Sequence, residues 1–123
     1  MADVIKNVYV IDASFLLAFL LDEENIEVNS QFERYASGEI VFIVPTLIKY
    51  EVGNSLRTQF LRKKLAKGKA KKLYQAFLEM KIKEEKLDFA DVLRVALEKN
   101  MSFYDASYHC LAQRLNLPLL TLD

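Results

Sequence analysis

Three stretches of this chain, VYVI (8–11), IVFIV (40–44) and LPLLTL (117–122), are nearly unbroken apolar runs of strand length. A strand with one face in water alternates polar and apolar side chains, whereas a strand buried on both faces reads as these do. Helical patterns separate the runs. Strands of this kind alternating with helices build a parallel sheet covered on both sides, so the expected class is α/β.

The helical patterns follow from the spacing of their apolar residues. ASFLLAFLL begins directly after Asp12, and a second helix covers 26–37 and stops at Gly38. Thr46 is placed to cap a helix carrying Leu47, Ile48, Val52 and Leu56, which runs on as far as Ala66. Gly68 is read as the break before a helix over 70–80. FADVLRVALEKN, closed by Asn100, and FYDASYHCLAQRLN then give two amphipathic helices before the final strand. Residues 82–88 supply a candidate fourth strand. At 123 residues the chain is expected to form a single domain, 1–123, burying about 65% of its unfolded surface.

Composition removes several functional classes. The one cysteine, Cys110, lies in an apolar helical pattern, which leaves neither a disulfide framework nor a Cys/His zinc set and points to a reducing compartment. The longest apolar run, FLLAFLL, is seven residues against the roughly 18 that cross a bilayer. With no signal-peptide pattern at the N-terminus, a soluble cytoplasmic protein is expected. The formal net charge is zero, yet residues 1–51 carry three Lys/Arg against nine Asp/Glu, residues 52–78 eight against none, and residues 79–123 six against eight.

In an open α/β sheet, ligands bind along the edge shared by the carboxyl ends of strands and the amino ends of helices. Asp12 follows the first strand, Asp123 follows the last, and Asp105 begins the helix leading into it. Glu51 stands one turn inside its helix above Leu47 and Ile48. Singly, Asp12 and Asp105 have an ordinary reading as N-caps or first-turn acids, Glu51 as a helical surface acid and Asp123 as a chain-end acid. Together they form a self-repelling set that a cation would neutralise, and oxygen donors of this kind favour Mg²⁺ or Mn²⁺.

Here the residues resemble a family. VIDASFLLAFLLDEE, PTLIKYEVGNSLR and FYDASYHCLAQRLNLPLLTLD look like three blocks of the PIN-domain ribonucleases, in particular the VapC-type toxins of toxin–antitoxin pairs. The likeness runs from about residue 8 to residue 123. It implies a three-layer α/β/α PIN-like fold with a parallel sheet of four to five short strands. It also implies an acidic catalytic set of Asp12, Glu51, Asp105 and Asp123, with Asp12 and Asp105 as the foremost Mg²⁺ (or Mn²⁺) ligands. Ser14, Asn54 and Thr121 match supporting polar positions, against ordinary roles in capping, backbone pairing or the surface. Members of the family continue past the TLD block, so a chain ending at Asp123 is expected to lack the backbone that pins the fourth acid.

Such a site supports metal-assisted hydrolysis of a phosphodiester. The single histidine, His109, is assigned to packing or surface hydrogen bonding, and the tyrosines and phenylalanines to the core. RTQFLRKKLAKGKAKK supplies Arg57, Arg62, Lys63, Lys64, Lys67, Lys69, Lys71 and Lys72 as phosphate contacts, weighed evenly against a solvated helix face. The resemblance thus implies an endoribonuclease acting on RNA, a small antitoxin protein covering the site, a homodimer and no membrane. Two other readings stand beside it. One is a catalytically silent PIN-like module binding RNA or protein. The other is a phosphoacceptor domain, set low because the paired acids after the first strand and the lysine after the last are missing.

Overall fold

The computed structural model describes residues 7–123; residues 1–6, part of the N-terminus read above for a leader, lie outside the described residues. Four strands, β1 (Asn7–Ile11), β2 (Ile40–Pro45), β3 (Lys83–Glu85) and β4 (Leu119–Leu120), form one sheet in the order β3-β2-β1-β4. Every pairing is parallel, with Val8 beside Val41, Val10 beside Leu119 and Ile43 beside Lys83. Val10 and Ile11 point to opposite faces of the sheet and are both fully buried, so helices cover both sides and the three expected layers are present.

Six helices connect and cover the strands: α1 (Ala13–Leu20), α2 (Ile26–Ala36), α3 (Leu47–Leu61), α4 (Lys67–Glu79), α5 (Phe89–Lys99) and α6 (Phe103–Leu115). No helix among the described residues is long and apolar enough to cross a membrane. An aromatic group of Phe15, Phe19, Phe32, Tyr35 and Phe42 joins α1 and α2 to β2, with Phe19 and Phe32 stacked at 4.1 Å. α6 packs on β1 and β2, and α5 packs on α6 through a smaller core of Val92, Val95, Ala96, Ala106 and Cys110.

Two local expectations are corrected. α3 ends at Leu61, not Ala66, and Gly68 lies inside α4. The break falls at Arg62–Ala66, where Lys63 takes φ +58 and the Lys64 N–H returns to the Gln59 carbonyl at 2.9 Å. A left-handed residue ends the helix whether or not it is glycine, and Gly68, in the first turn of α4, costs little there. Thr46 makes no side-chain cap, because its backbone is already helical and its carbonyl accepts from Lys49 N–H at 3.0 Å. Asn100 does close α5 in the left-handed region.

The chain moves outward from β1 through β2 to β3, then returns to place β4 on the other side of β1. The strand order therefore reverses between β1 and β4. A crevice opens there, at the carboxyl ends of the strands, which is where ligands sit in folds of this class.

Candidate active site

Asp12 stands at that reversal, immediately after β1, and it is 8% exposed. It caps α1: its Oδ1 accepts from the Phe15 N–H at 3.1 Å and from the Ser14 hydroxyl at 2.6 Å. Both bonds fall on one oxygen, which leaves Oδ2 available to a ligand while the carboxylate is held by the other.

Asp105 comes to the same place from α6. The cap of that helix is Ser102, whose Oγ accepts from the Asp105 N–H at 3.0 Å. The Asp105 side chain is exposed in the first turn, where the helix dipole favours an anion. Asp123 arrives from the end of β4, and burial first, then the charges of Asp12 and Asp105, raise its pKa above the usual carboxylate value.

Asp12, Asp105 and Asp123 line one cleft of about 170 Å³ with Thr121, Tyr108, His109, Met101 and Leu119. Glu51 joins from α3 through Tyr108, whose hydroxyl donates to Glu51 Oε1 at 2.5 Å. Burial is the largest influence raising the Glu51 pKa, the Tyr108 bond opposes it, and Asp105, Asp12 and Asp123 raise it further. Tyr108 is 2% exposed, and burial followed by the bond to Glu51 pushes its own pKa far above the ordinary phenol value, so it remains a donor.

The supporting hydroxyls act on the backbone. Besides donating to Asp12, the Ser14 Oγ accepts from the Leu122 N–H at 3.0 Å and lies 3.5 Å from Thr121 Oγ1. Thr121 Oγ1 accepts from the Asp123 N–H at 3.1 Å. The backbone on either side of the fourth acid is thereby held by two side chains, Ser14 on the Leu122 N–H and Thr121 on the Asp123 N–H. Asn54 is exposed on α3, one turn beyond Glu51 and outside the lining of the cleft.

The eight cations lie elsewhere. Arg57 is on α3, Arg62, Lys63 and Lys64 in the turn, and Lys67, Lys69, Lys71 and Lys72 on α4, all exposed. Arg57, Lys67 and Lys71 rim a groove of about 540 Å³ between the two helices, floored by Leu56, Phe60, Ala70 and Tyr74. At 1.5 Å per residue, Arg57 is about 9 Å along the helix from Glu51. Among the described residues no ion pair reaches any of these cations or any of the four acids.

Two neighbours of the site had no functional role in the sequence reading, Tyr108 as a core tyrosine and His109 as a packing or surface hydrogen-bonding residue. Tyr108 lies three residues after Asp105 on one helix face, a spacing that brings two side chains together, though its partner 57 positions away is a tertiary fact. His109 is partly exposed and lines the acidic cleft.

The donor chemistry suits a hard divalent cation. All the acids present oxygen, no ion pair offsets them among the described residues, and Asp12, Asp105 and Asp123 line the cleft. Among the described residues no three His, Cys, Asp or Glu side chains close into a cage. Mg²⁺ characteristically keeps several waters and takes one or two carboxylates plus substrate oxygens, so an open set fits it better than a closed one would.

The fold and this acidic crevice define a class of α/β proteins with carboxylates gathered at the strand reversal, and the chain belongs to the PIN domain family, whose model matches residues 9–123. It is 33% identical over 118 residues to Ribonuclease VapC3 of Pyrobaculum aerophilum, spanning 93% of this chain and 88% of that one. The crystal structure of PAE2754 from Pyrobaculum aerophilum superposes with a TM-score of 0.76 at 26% identity, over 100% of this chain and 83% of the other.

Proposed function

We propose that this PIN-domain nuclease hydrolyses phosphodiester bonds in RNA with Mg²⁺ or Mn²⁺ held chiefly by Asp12 and Asp105, as the toxin of a toxin–antitoxin pair. The observation that carries the reading is the convergence of Asp12, Asp105 and Asp123, from three separate segments, on one cleft with Glu51 behind it. Kinship to a protein named as a ribonuclease supports RNA as the substrate.

A divalent ion held there by Asp12 and Asp105 would supply Lewis acidity to a phosphoryl oxygen and would lower the pKa of a bound water. The chain's own contributions are distinct. Asp12 offers one oxygen while Ser14 and the Phe15 N–H fix the other. Asp105 offers its carboxylate from a helix N-terminus already capped by Ser102. Glu51, oriented by Tyr108 and raised in pKa, is suited to hold or accept a proton from the attacking water. Ser14 and Thr121 hold the chain end that carries Asp123. The exposed cations of the α3–α4 hairpin contact RNA phosphates without reading bases.

Cleavage of labelled RNA by the purified protein tests the activity. It should require Mg²⁺ or Mn²⁺, stop with a chelator and fall by at least 100-fold in Asp12→Asn and Asp105→Asn. Equal cleavage by both variants and the parent would end the proposal. The antitoxin reading expects a small protein that covers the cleft in the cytoplasm, and a short reading frame directly upstream whose product abolishes cleavage would support it. The homodimer implied by the family resemblance belongs to the same reading.

A further inference from the structure

A polar track leads out of the acidic cleft along α6. His109 and Leu119 line that cleft and also a second, wider groove of about 570 Å³, so the two concavities meet at this histidine. Beyond the junction the groove presents the exposed side chains of Lys99, Gln113 and Asn116 beside apolar surface from Ala112, Leu117 and Pro118. Its volume falls within the roughly 300–1,000 Å³ of ligand-binding clefts.

Helix geometry makes the track continuous. Asp105, His109 and Gln113 are spaced four residues apart, so they stand one above another on one face of α6. At 3.6 residues per turn, Asn116 falls within the same arc of about 80°, and at 1.5 Å per residue Gln113 is about 12 Å along the axis from Asp105. The opposite side of the helix is spent on the core, through Ala106, Tyr108, Cys110 and Leu111 among others. Asn116 closes α6 with its backbone, in the left-handed conformation and with its N–H on the Ala112 and Gln113 carbonyls, which leaves its amide side chain outside the cap. Lys99, the last residue of α5, joins the groove from the neighbouring helix.

The chemistry of this groove suits bases better than phosphates. Phosphates are held by clustered Lys and Arg or by helix N-termini. Here there is one lysine, and the adjoining end of α6 is its C-terminus, whose partial negative charge disfavours an anion. Gln113 and Asn116 each offer an amide that both donates and accepts, the pattern that pairs with a base edge. An imidazole beside apolar surface is a platform on which an unpaired base stacks.

We propose that one flank of a single-stranded RNA substrate runs from the acidic cleft past His109 into this groove, where Gln113 and Asn116 read base edges. His109 stacks on the base next to the scissile phosphate, and Lys99 meets a phosphate at the rim. The groove then sets which sequence is cut, a role that rests on the nuclease reading above and gives that site its source of base selectivity. The cations of the α3–α4 hairpin, by contrast, hold the backbone without reading it.

Fluorescence anisotropy on the full chain, with a chelator present so that nothing is cleaved, reads the groove directly. The probes are short labelled homopolymers of adenine, cytosine or uracil. The parent should separate the tightest from the weakest of these by about 10-fold, and the double variant Gln113→Ala, Asn116→Ala should bring them to within about 2-fold of one another. His109→Ala should weaken all three by about 10-fold, while His109→Phe, which keeps a stacking face, should bind as the parent does. Lys99→Gln should make the slope of log affinity against log salt shallower by about 0.7 without altering base preference. Circular dichroism will show that each variant is folded. With Mn²⁺ supplied, the mapped ends of cleavage products should carry the same base preference and lose it in the double variant. A double variant as base-selective as the parent, or a His109→Ala protein that binds as tightly, would overturn the inference and leave the nuclease reading intact. A parent that binds none of the RNAs and cleaves none would end both.

Discussion

The Tyr108 hydroxyl donates to Glu51 Oε1 at 2.5 Å, joining α6 to α3 across the edge of the sheet. Three other carboxylates act on Glu51, and all of them raise its pKa, whereas the hydrogen bond from Tyr108 lowers it and so favours the ionised form. Tyr108→Phe keeps the ring and deletes the donor. The loss of a hydrogen bond to a charged group predicts a decrease of about 1 to 3 kcal/mol in unfolding free energy, read from urea titration at neutral pH. On the proposed mechanism kcat for RNA cleavage should fall about 10-fold with KM little changed.

Glu51 and Asp123 both have raised pKa values, Glu51 from 4.5 and Asp123 from 3.8. In each case the folded protein binds the proton more tightly than the unfolded chain does, so these two groups favour folding at low pH. Their contribution is lost as pH rises from the unfolded values through the higher folded ones. Metal-free protein should therefore lose stability through these groups as pH rises above about 4 to 5. Thermal melts of the parent against Glu51→Gln will measure it: the variant should lose less melting temperature over that rise. Mn²⁺ added at neutral pH should restore melting temperature to the parent, because a ligand that binds only the folded form stabilises it.

Asp12 and Asp105 are separable by stability although both are proposed metal ligands. Asp12 is the buried cap of α1, and Asn caps nearly as well, so Asp12→Asn should remain close to the parent while Asp12→Ala loses about 1 kcal/mol or more. Asp105 is exposed in a helix capped by Ser102, so Asp105→Asn should change stability by no more than about 0.5 kcal/mol, whereas Ser102→Ala costs about 1 kcal/mol. Calorimetry with Mn²⁺ should show binding greatly weakened in both Asn variants. An Asp105→Asn protein that binds the ion as the parent does would remove Asp105 from the metal site.

What could be read in the sequence was local. Asp12 directly follows a strand, and Asp105 opens an amphipathic helix, so the edge shared by strand ends and helix starts was sufficient to place both. The runs VYVI and IVFIV became β1 and β2 because continuous apolar character has no other satisfactory home than a two-sided sheet. The parts that were not legible depend on contacts between distant segments. Nothing near Tyr108 reveals Glu51, and nothing near Ser14 reveals the Leu122 N–H, 108 positions away. The turn after α3 was hidden differently, since Lys63 adopts the left-handed conformation usually signalled by glycine.

The α3–α4 hairpin allows the substrate and the metal site to be tested apart. Arg57, Lys67 and Lys71 are exposed around one groove, have no ion-pair partner among the described residues, and lie outside the lining of the acidic cleft. If they contact RNA, the triple variant Arg57→Gln, Lys67→Gln, Lys71→Gln releases fewer counterions on binding. The slope of log affinity against log salt should then become shallower by about 2, from roughly 0.7 per phosphate contact on single strands. Fluorescence anisotropy with a short labelled RNA across a salt series reads that slope, and Mn²⁺ affinity should stay unchanged. An unaltered slope would make the basic stretch a solvated helix face and leave substrate binding to the cleft itself.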